Sequence, residues 1–529
     1  MKSTRIYIFA LLLVALASCS KKFEDLQINP NRPTSVPASL ILTKQLNDLA
    51  GGLGGVEPWG AVARYNQYYC RNYQYYGDNA YSWSNGPFGV YTAQLKNIMQ
   101  MEDEAKKSGA KDINPYASVA KFLKAYYFYH LTSLMGDVPM TEAIKGTTGI
   151  FAPKYDDQKA VFVQVLKWLE EANTEFATYT IVDAFPAGVD IYYGNDFTKW
   201  RKLVNSFKLR VLVALSKHEN DADLKVKQRF SETIAAPASF PIFTGMGDNL
   251  RYVYNATINR YPFNPSNFGF DALRLNMAEA YVKACTQIND PRVLVTCDPA
   301  WKIATDNGYS LTDFRSFVGA PIGQNQSQME ADAIAGRISM INRYRYYRTF
   351  TAEDFIIVGY PEMCFNIAEG IARGWASGNV NTWYQNGIRA SVNFYGIVNG
   401  NNTAYYLRSG SPTNLADYTS ASFTYSESNY MTQTSVQLEG NLSADLSKIV
   451  TQKYIAMFQN SGWEPYFNFR RTGFPTLTGG VGIGNGGVLP KRWAYATAEQ
   501  NVNNANWKAA LTKQGFNNDD LNGLMWLIK

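Results

Sequence analysis

Residues 114–143 read NPYASVAKFLKAYYFYHLTSLMGDVPMTEA, and the spacing of their apolar side chains decides the fold class. Ala120, Leu123, Tyr127, Leu131 and Leu134 recur every three or four positions, so they line one face of a helix. The segment starts near Asn114-Pro115, and Gly136-Asp137 offers a stop. The same spacing returns at Val161, Val165, Leu169 and Ala172, and at Trp200, Val204, Phe207, Val211 and Leu215. Leu273, Met277, Ala280 and Ala284 make another stripe, with Asp271 as its start; Met363, Ile367, Ile371 and Trp375 make one more, between Pro361 and Gly374. Helices of this length predict packed antiparallel pairs, although no strict repeat of about 34 residues marks a regular solenoid.

Between the helices lie long stretches rich in Gly, Asn, Ser, Thr and Tyr, at 237–268, 298–350, 396–440 and 472–497. Connections this long usually carry function or hold small strands. The expected fold class is mainly α: a helix-pair scaffold with long irregular loops and a few short strands, forming one domain over residues 40–529.

The N-terminus fixes the compartment. In MKSTRIYIFALLLVALASC, Lys2 and Arg5 form a positive front and Ile6 to Ala17 is an uncharged run of 12 residues. A bilayer span needs about 20, so residues 1–18 read as a secretory signal peptide. Leu16-Ala17-Ser18-Cys19 resembles a bacterial lipoprotein cleavage box, in which Cys19 becomes the acylated first residue. Residues 19–39 hold three prolines and little periodicity and read as an extended tether behind that lipid.

Composition narrows the function. The net charge of +6 includes Lys2 and Arg5 of the signal and gives no case for nucleic acid. Only two histidines exist, His130 and His218, which weighs against a His-rich zinc site or a Ser-His-Asp hydrolase. Glu102-Asp103-Glu104 and Glu170-Glu171 lie on amphipathic helices and read as solvated faces. Cys285 and Cys297 are close enough in sequence to pair; four buried free thiols, with Cys70 and Cys364, is the alternative. Gly482 to Gly487 matches G-x-G-x-x-G without a strand–turn–helix frame and reads as a loop. The 36 Tyr, 29 Phe and 11 Trp suit half-buried recognition surfaces.

Several segments, in order, resemble the SusD/RagB-like outer-membrane lipoproteins of Bacteroidetes, in particular the SusD-like 2 branch. Phe23-Glu24-Asp25-Leu26-Gln27-Ile28-Asn29-Pro30-Asn31 is similar to the family opening, and Met135 to Ala143 to its G-D-V-P element. Asp190 to Asp196 with Trp200 to Arg210, Asn289-Asp290-Pro291-Arg292, Glu362 to Gly374, Gln452 to Pro475 and Arg492 to Asn506 follow in family order. Met140 replaces the usual aromatic, Ala496 the usual proline, and Lys21-Lys22 precede the acids that follow the lipid cysteine. The resemblance implies a SusD-like domain with tetratricopeptide-like helix pairs on one side and a loop-built ligand face. It implies a surface lipoprotein that is not an enzyme and needs no cofactor. It would capture a nutrient, an oligosaccharide first and an oligopeptide as alternative, for a SusC-like TonB-dependent β-barrel. A structural lid without ligand affinity and a two-carboxylate glycoside hydrolase are the rivals; a structural calcium stays open, though no spaced Asp cluster argues for one.

Sugar rings pack their C–H faces on aromatic side chains, so the richest candidate is 65–83, YNQYYCRNYQYYGDNAYSW. By resemblance Trp83 with Asn79 or Asn85 is the first choice, supported by Tyr73, Tyr75, Tyr76 and Tyr81. A core-packed tyrosine helix is the alternative for Tyr65, Tyr68 and Tyr69. The run Arg343-Tyr344-Arg345-Tyr346-Tyr347-Arg348 supplies Arg345 and Tyr346 as further candidates, or else an edge strand. Arg470 and Arg471 read as loop braces.

Overall fold

The computed structural model describes residues 35–51, 53, 55–72, 79–408 and 414–529; Cys19, Tyr73, Tyr75 and Tyr76 lie outside them. Five helices build the first half in chain order: Ala38–Asp48 (α1), Lys96–Lys107 (α2), Pro115–Met135 (α3), Gln158–Phe176 (α4) and Phe197–Ala214 (α5). Each packs on the next, α1 on α2 through to α4 on α5. α5 then meets Tyr360–Ala372 (α6), which packs on Val380–Phe394 (α7) and Leu442–Ala456 (α8); Glu464–Thr472 (α9) contacts α5 and α8. The chain is predominantly helical, as its periodicity predicts.

α3 shows why. The Asn114 side chain accepts a hydrogen bond from the Ala117 N–H at 3.1 Å, and Pro115 occupies the first turn, where its missing N–H costs nothing. Gly136, at φ +97°, ends the helix in a conformation that side chains resist. Most of the helix is buried, because α2 and α4 flank it.

One helix stripe is corrected. Leu275–Met277 is a strand (β3 below), and the helix runs only over Glu279–Thr286, so Asp271 starts nothing. Leu275 and Met277 are both buried, and a short run with both faces inside has no periodicity that separates strand from helix. The strands are Tyr69–Arg71 (β1), Leu250–Tyr252 (β2), Leu275–Met277 (β3), Phe355–Val358 (β4), Gly400–Leu407 (β5) and Tyr418–Tyr425 (β6). They pair antiparallel as β1–β3, β2–β4 and the hairpin β5–β6. Three of the long loops therefore hold structure: 237–268 carries β2, 396–440 carries the hairpin, and 298–350 carries short helices at Trp301–Asn307, Gln326–Ile334 and Arg343–Tyr347.

The core is unusually aromatic, and its tyrosines do two jobs. Their rings fill volume, and their hydroxyls donate to backbone carbonyls, three of them in helices and one in the turn after α3. Tyr68 donates to the Tyr454 carbonyl at 2.7 Å, Tyr81 to Tyr65 at 2.7 Å, Tyr406 to Leu294 at 2.8 Å and Tyr495 to Asp137 at 2.7 Å. A buried carbonyl left unpaired would cost about 1–3 kcal/mol, so buried carbonyls need donors. Cys70, Cys285, Cys297 and Cys364 are buried free thiols, so the Cys285–Cys297 bridge does not form.

Glycines permit two close approaches. A Cβ on Gly482 would lie 2.3 Å from the Gln324 carbonyl oxygen, and the Gly482 N–H donates to Gly323 at 3.0 Å. The glycine run is thus a seam between two backbones. A Cβ on Gly370, in α6, would lie 2.2 Å from the buried Phe230 ring. Gly370→Ala gains about 1 kcal/mol of helix propensity but overpacks the core at about 1–3 kcal/mol. The expected net effect is a loss of up to about 2 kcal/mol in urea unfolding; a midpoint above that of the parent protein would refute the clash.

Candidate ligand-binding surface

The described residues of the aromatic segment expected to form the ligand platform lie mostly inside. Trp83 is 1% exposed and Tyr81 2%. Trp83 stacks on Trp493 at 5.4 Å and 14°, and meets Tyr65, Tyr81, Trp463 and Tyr466 edge-on or tilted at 4.9–5.5 Å. Neither ring has a free face for a sugar. Asn79 is buried as well; its carboxamide clamps Arg71, accepting from the N–H at 2.9 Å and donating to the carbonyl at 2.7 Å. Tyr346 is fully buried, with its ring centroid 4.7 Å from that of Trp59. Arg345 is spent on Glu353 at 3.1 Å and on the Tyr395 carbonyl at 3.1 Å. The run 343–348 is neither an edge strand nor an open loop but a short helix, whose inward face takes Tyr346 and Tyr347. Among the described candidates only Asn85 is exposed, and its Oδ1 accepts from the Thr497 N–H at 3.0 Å, at the start of a helix.

The acidic runs need one correction. Glu102 pairs with Lys124 at 2.9 Å and Glu170 with Arg229 at 2.9 Å on the helix surface, but the Glu104 side chain turns inward, accepting from Ser35 and Gln100. Arg470 and Arg471 are buried; Arg470 braces the Lys491 and Ser133 carbonyls, whereas Arg471 pairs with Glu369 of α6 rather than with a loop. Among the described residues, no group of three His, Cys, Asp or Glu side chains is arranged to hold a metal ion. No helix among them is long and apolar enough to cross a membrane.

Three concave surfaces remain among the described residues; one of about 540 Å³, lined by Lys217, Arg373, Asn441 and Phe474, holds no tyrosine or tryptophan, and the other two do. Of these two, one, of about 500 Å³, is lined by Lys44, Asn47 and Asp48 of α1, Gln94, Glu57, and Tyr252 and Tyr254 at the end of β2. The Tyr252 hydroxyl donates to Asn47 Oδ1, and the two tyrosine rings meet edge to face at 5.5 Å. Burial pushes both phenols above the ordinary tyrosine range, so they present neutral hydroxyls. Lys44 is tied to Asp48 at 2.6 Å, which leaves the Glu57 carboxylate beside amide, hydroxyl and ring surfaces as the reading groups. A small number of placed polar groups beside aromatic walls is the usual make-up of a small-molecule site. The other, of about 480 Å³, lies between α2, α3 and α4, where Lys124 sits 5.6 Å over the Trp168 ring and pairs with Glu102. Its aromatic face is already covered by a cation, so it suits a sugar less well. The groove beside Tyr252 was missed in the sequence because Asn47, Gln94 and Tyr252 are far apart in the chain and carry no common spacing.

Solved structures share this architecture. A SusD homologue from Bacteroides fragilis is 28% identical, with TM-score 0.78, over 93% of this chain and 100% of that one. A second from the same species is 28% identical, with TM-score 0.75, over 94% and 100%. A chitin-binding SusD homologue from Flavobacterium johnsoniae is 18% identical, with TM-score 0.67, over 93% and 98%, and shows the fold alone. A comparison with curated proteins finds no match. The family model described as starch-binding, associating with the outer membrane, matches residues 30–496, and the chain belongs to that family, SusD-like 2.

Proposed function

We propose that this protein captures an oligosaccharide at the cell exterior, held to the outer membrane by a lipid on Cys19, and delivers it to a SusC-like TonB-dependent β-barrel without chemical change. The family match over residues 30–496 carries this reading. The groove beside Tyr252 supports it, since it sets a half-buried ring beside the amides of Asn47 and Gln94 and the carboxylate of Glu57, groups that read sugar hydroxyls. The chitin-binding relative adds a precedent on the same fold.

The test is calorimetry on the soluble protein, begun after Cys19, against an oligosaccharide panel and a mixed oligopeptide pool. A glycan is expected to bind, and Tyr252→Ala to weaken it by about tenfold, since an aromatic contact is worth roughly 1 kcal/mol beyond its area. Binding of peptides alone would move the substrate class. Silence toward both, with tight binding to the barrel, would favour a lid without its own affinity.

A further inference from the structure

The hairpin β5–β6 turns one face to solvent. Asn401, Thr403 and Tyr405 of β5 and Tyr418, Ser420, Ser422 and Thr424 of β6 are all exposed, while Ala404, Tyr406 and Tyr425 point inward. The register sets Tyr405 opposite Ser420, Thr403 opposite Ser422 and Asn401 opposite Thr424. The outward face therefore holds four aliphatic hydroxyls, one carboxamide and two phenols, and not one charge.

The two phenols are positioned, not loose. Tyr405 and Tyr418 are 38% and 40% exposed, and their ring centroids lie 5.9 Å apart. Behind them stands Tyr344, 9% exposed, stacked on Tyr405 at 5.0 Å and 22° and 4.6 Å from Tyr418. Tyr344 is held in turn by Arg348, whose guanidinium lies 4.9 Å over its ring and hydrogen-bonds its hydroxyl. Arg408, one residue beyond β5, is tied to Asp417 at 3.0 Å, so Arg348 is the cation beside the rings. Tyr344 and Arg348 of the 343–348 run thus brace a pair of exposed rings on another element.

We infer that this hairpin face is a second carbohydrate-binding subsite, which takes an extended, uncharged oligosaccharide with Tyr405 and Tyr418 as its ring platform and the Thr/Ser/Asn rows as its hydroxyl readers. The inference rests on the proposed glycan function. The absence of charge matches a neutral polyol and offers nothing to an ionic ligand. From Asn401 to Tyr405 the strand rises about 13 Å, room for a chain of sugars rather than one ring. Tyr344 and Arg348 fix the platform beforehand, so little side-chain freedom is lost on binding.

The experiment uses the soluble protein begun after Cys19 and neutral oligosaccharides graded by length. The double variant Tyr405→Ala, Tyr418→Ala changes exposed side chains, and its urea midpoint verifies the fold. Its affinity for the longer oligosaccharides is expected to fall roughly tenfold or more, while Tyr405→Phe, Tyr418→Phe keeps most of the binding. Unchanged affinity in the alanine variant, with the parent protein binding glycans and weakened by Tyr252→Ala, would overturn the hairpin subsite and leave the glycan reading standing. A parent protein that binds no neutral glycan would overturn both.

Discussion

Glu369→Gln is expected to remove about 3–5 kcal/mol from the stability of the fold, the range for breaking one side of a buried ion pair. Glu369 is fully buried in α6. It accepts from Arg471 Nη1 at 2.5 Å, from Arg471 Nη2 at 2.8 Å and from Arg373 Nε at 2.9 Å. Arg471 also donates to Ser216 Oγ at 3.0 Å and to Asn468 Oδ1 at 2.9 Å, and Lys453 donates to Asn468 at 2.9 Å and to Asn366 at 2.6 Å. Burial pushes the Lys453 ammonium down to about 8, and the Glu369 charge opposes that fall. Glutamine keeps the shape but removes the anion, leaving Arg471 and Lys453 in the interior without it.

The pH dependence checks the cause. Burial acts to raise the Glu369 carboxyl, but the Arg471 charge and hydrogen bonds outweigh it and hold the group at about 2. A carboxyl depressed from its unfolded value contributes stability above that value and loses it as pH falls through the folded one. The window here runs from about 4.5 down to about 2, and the depression corresponds to about 3 kcal/mol. Urea unfolding of both proteins from neutral pH downward should show a wide gap at pH 7 that narrows below about 4.5. A gap under about 1 kcal/mol, or one that ignores pH, would refute the pair's role.

The helices were legible because their physics is local. Ala120 to Leu134 repeat at helical spacing, Gly136 and Gly374 terminate their helices with positive φ, and Pro361 sits in the first turn of α6. β3 was not legible, since Leu275 and Met277 are buried on both faces and carry no alternation. The β5–β6 face was there to be read: Asn401, Thr403 and Tyr405 alternate with buried or half-buried neighbours at a period of two, as do Ser420, Ser422 and Thr424. That Trp83, Tyr81, Asn79 and Tyr346 are buried was not legible for another reason. A tyrosine-rich segment serves a loop-rich core and a sugar platform with the same residues, and only the carbonyl that each hydroxyl meets tells them apart. Tyr81, donating to Tyr65, belongs to the core; Tyr405 and Tyr418 keep their rings in solvent.

Trp83 shows what that difference means in practice. Read as a platform, Trp83→Ala should abolish glycan binding and leave the fold intact. Its place in the structure predicts the reverse order of events. The indole is 1% exposed and enclosed by Tyr65, Tyr81, Trp463, Tyr466 and Trp493. Its neighbours cannot collapse easily into the space it leaves, because their backbones are tied elsewhere. The Trp83 carbonyl accepts from the Ala494 N–H at 2.9 Å, the Tyr81 N–H donates to Ile483 at 2.8 Å, and the Tyr466 hydroxyl donates to Pro490 at 2.9 Å. A buried tryptophan cut to alanine under such constraint costs about 3–5 kcal/mol, transfer and cavity together. The variant should therefore unfold at a clearly lower urea concentration, and any glycan affinity measured on the fraction still folded should match that of the parent protein. Trp83→Phe, which keeps most of the ring volume, should recover much of the loss. An unchanged urea midpoint with lost glycan binding would return Trp83 to the ligand surface and refute the packing account.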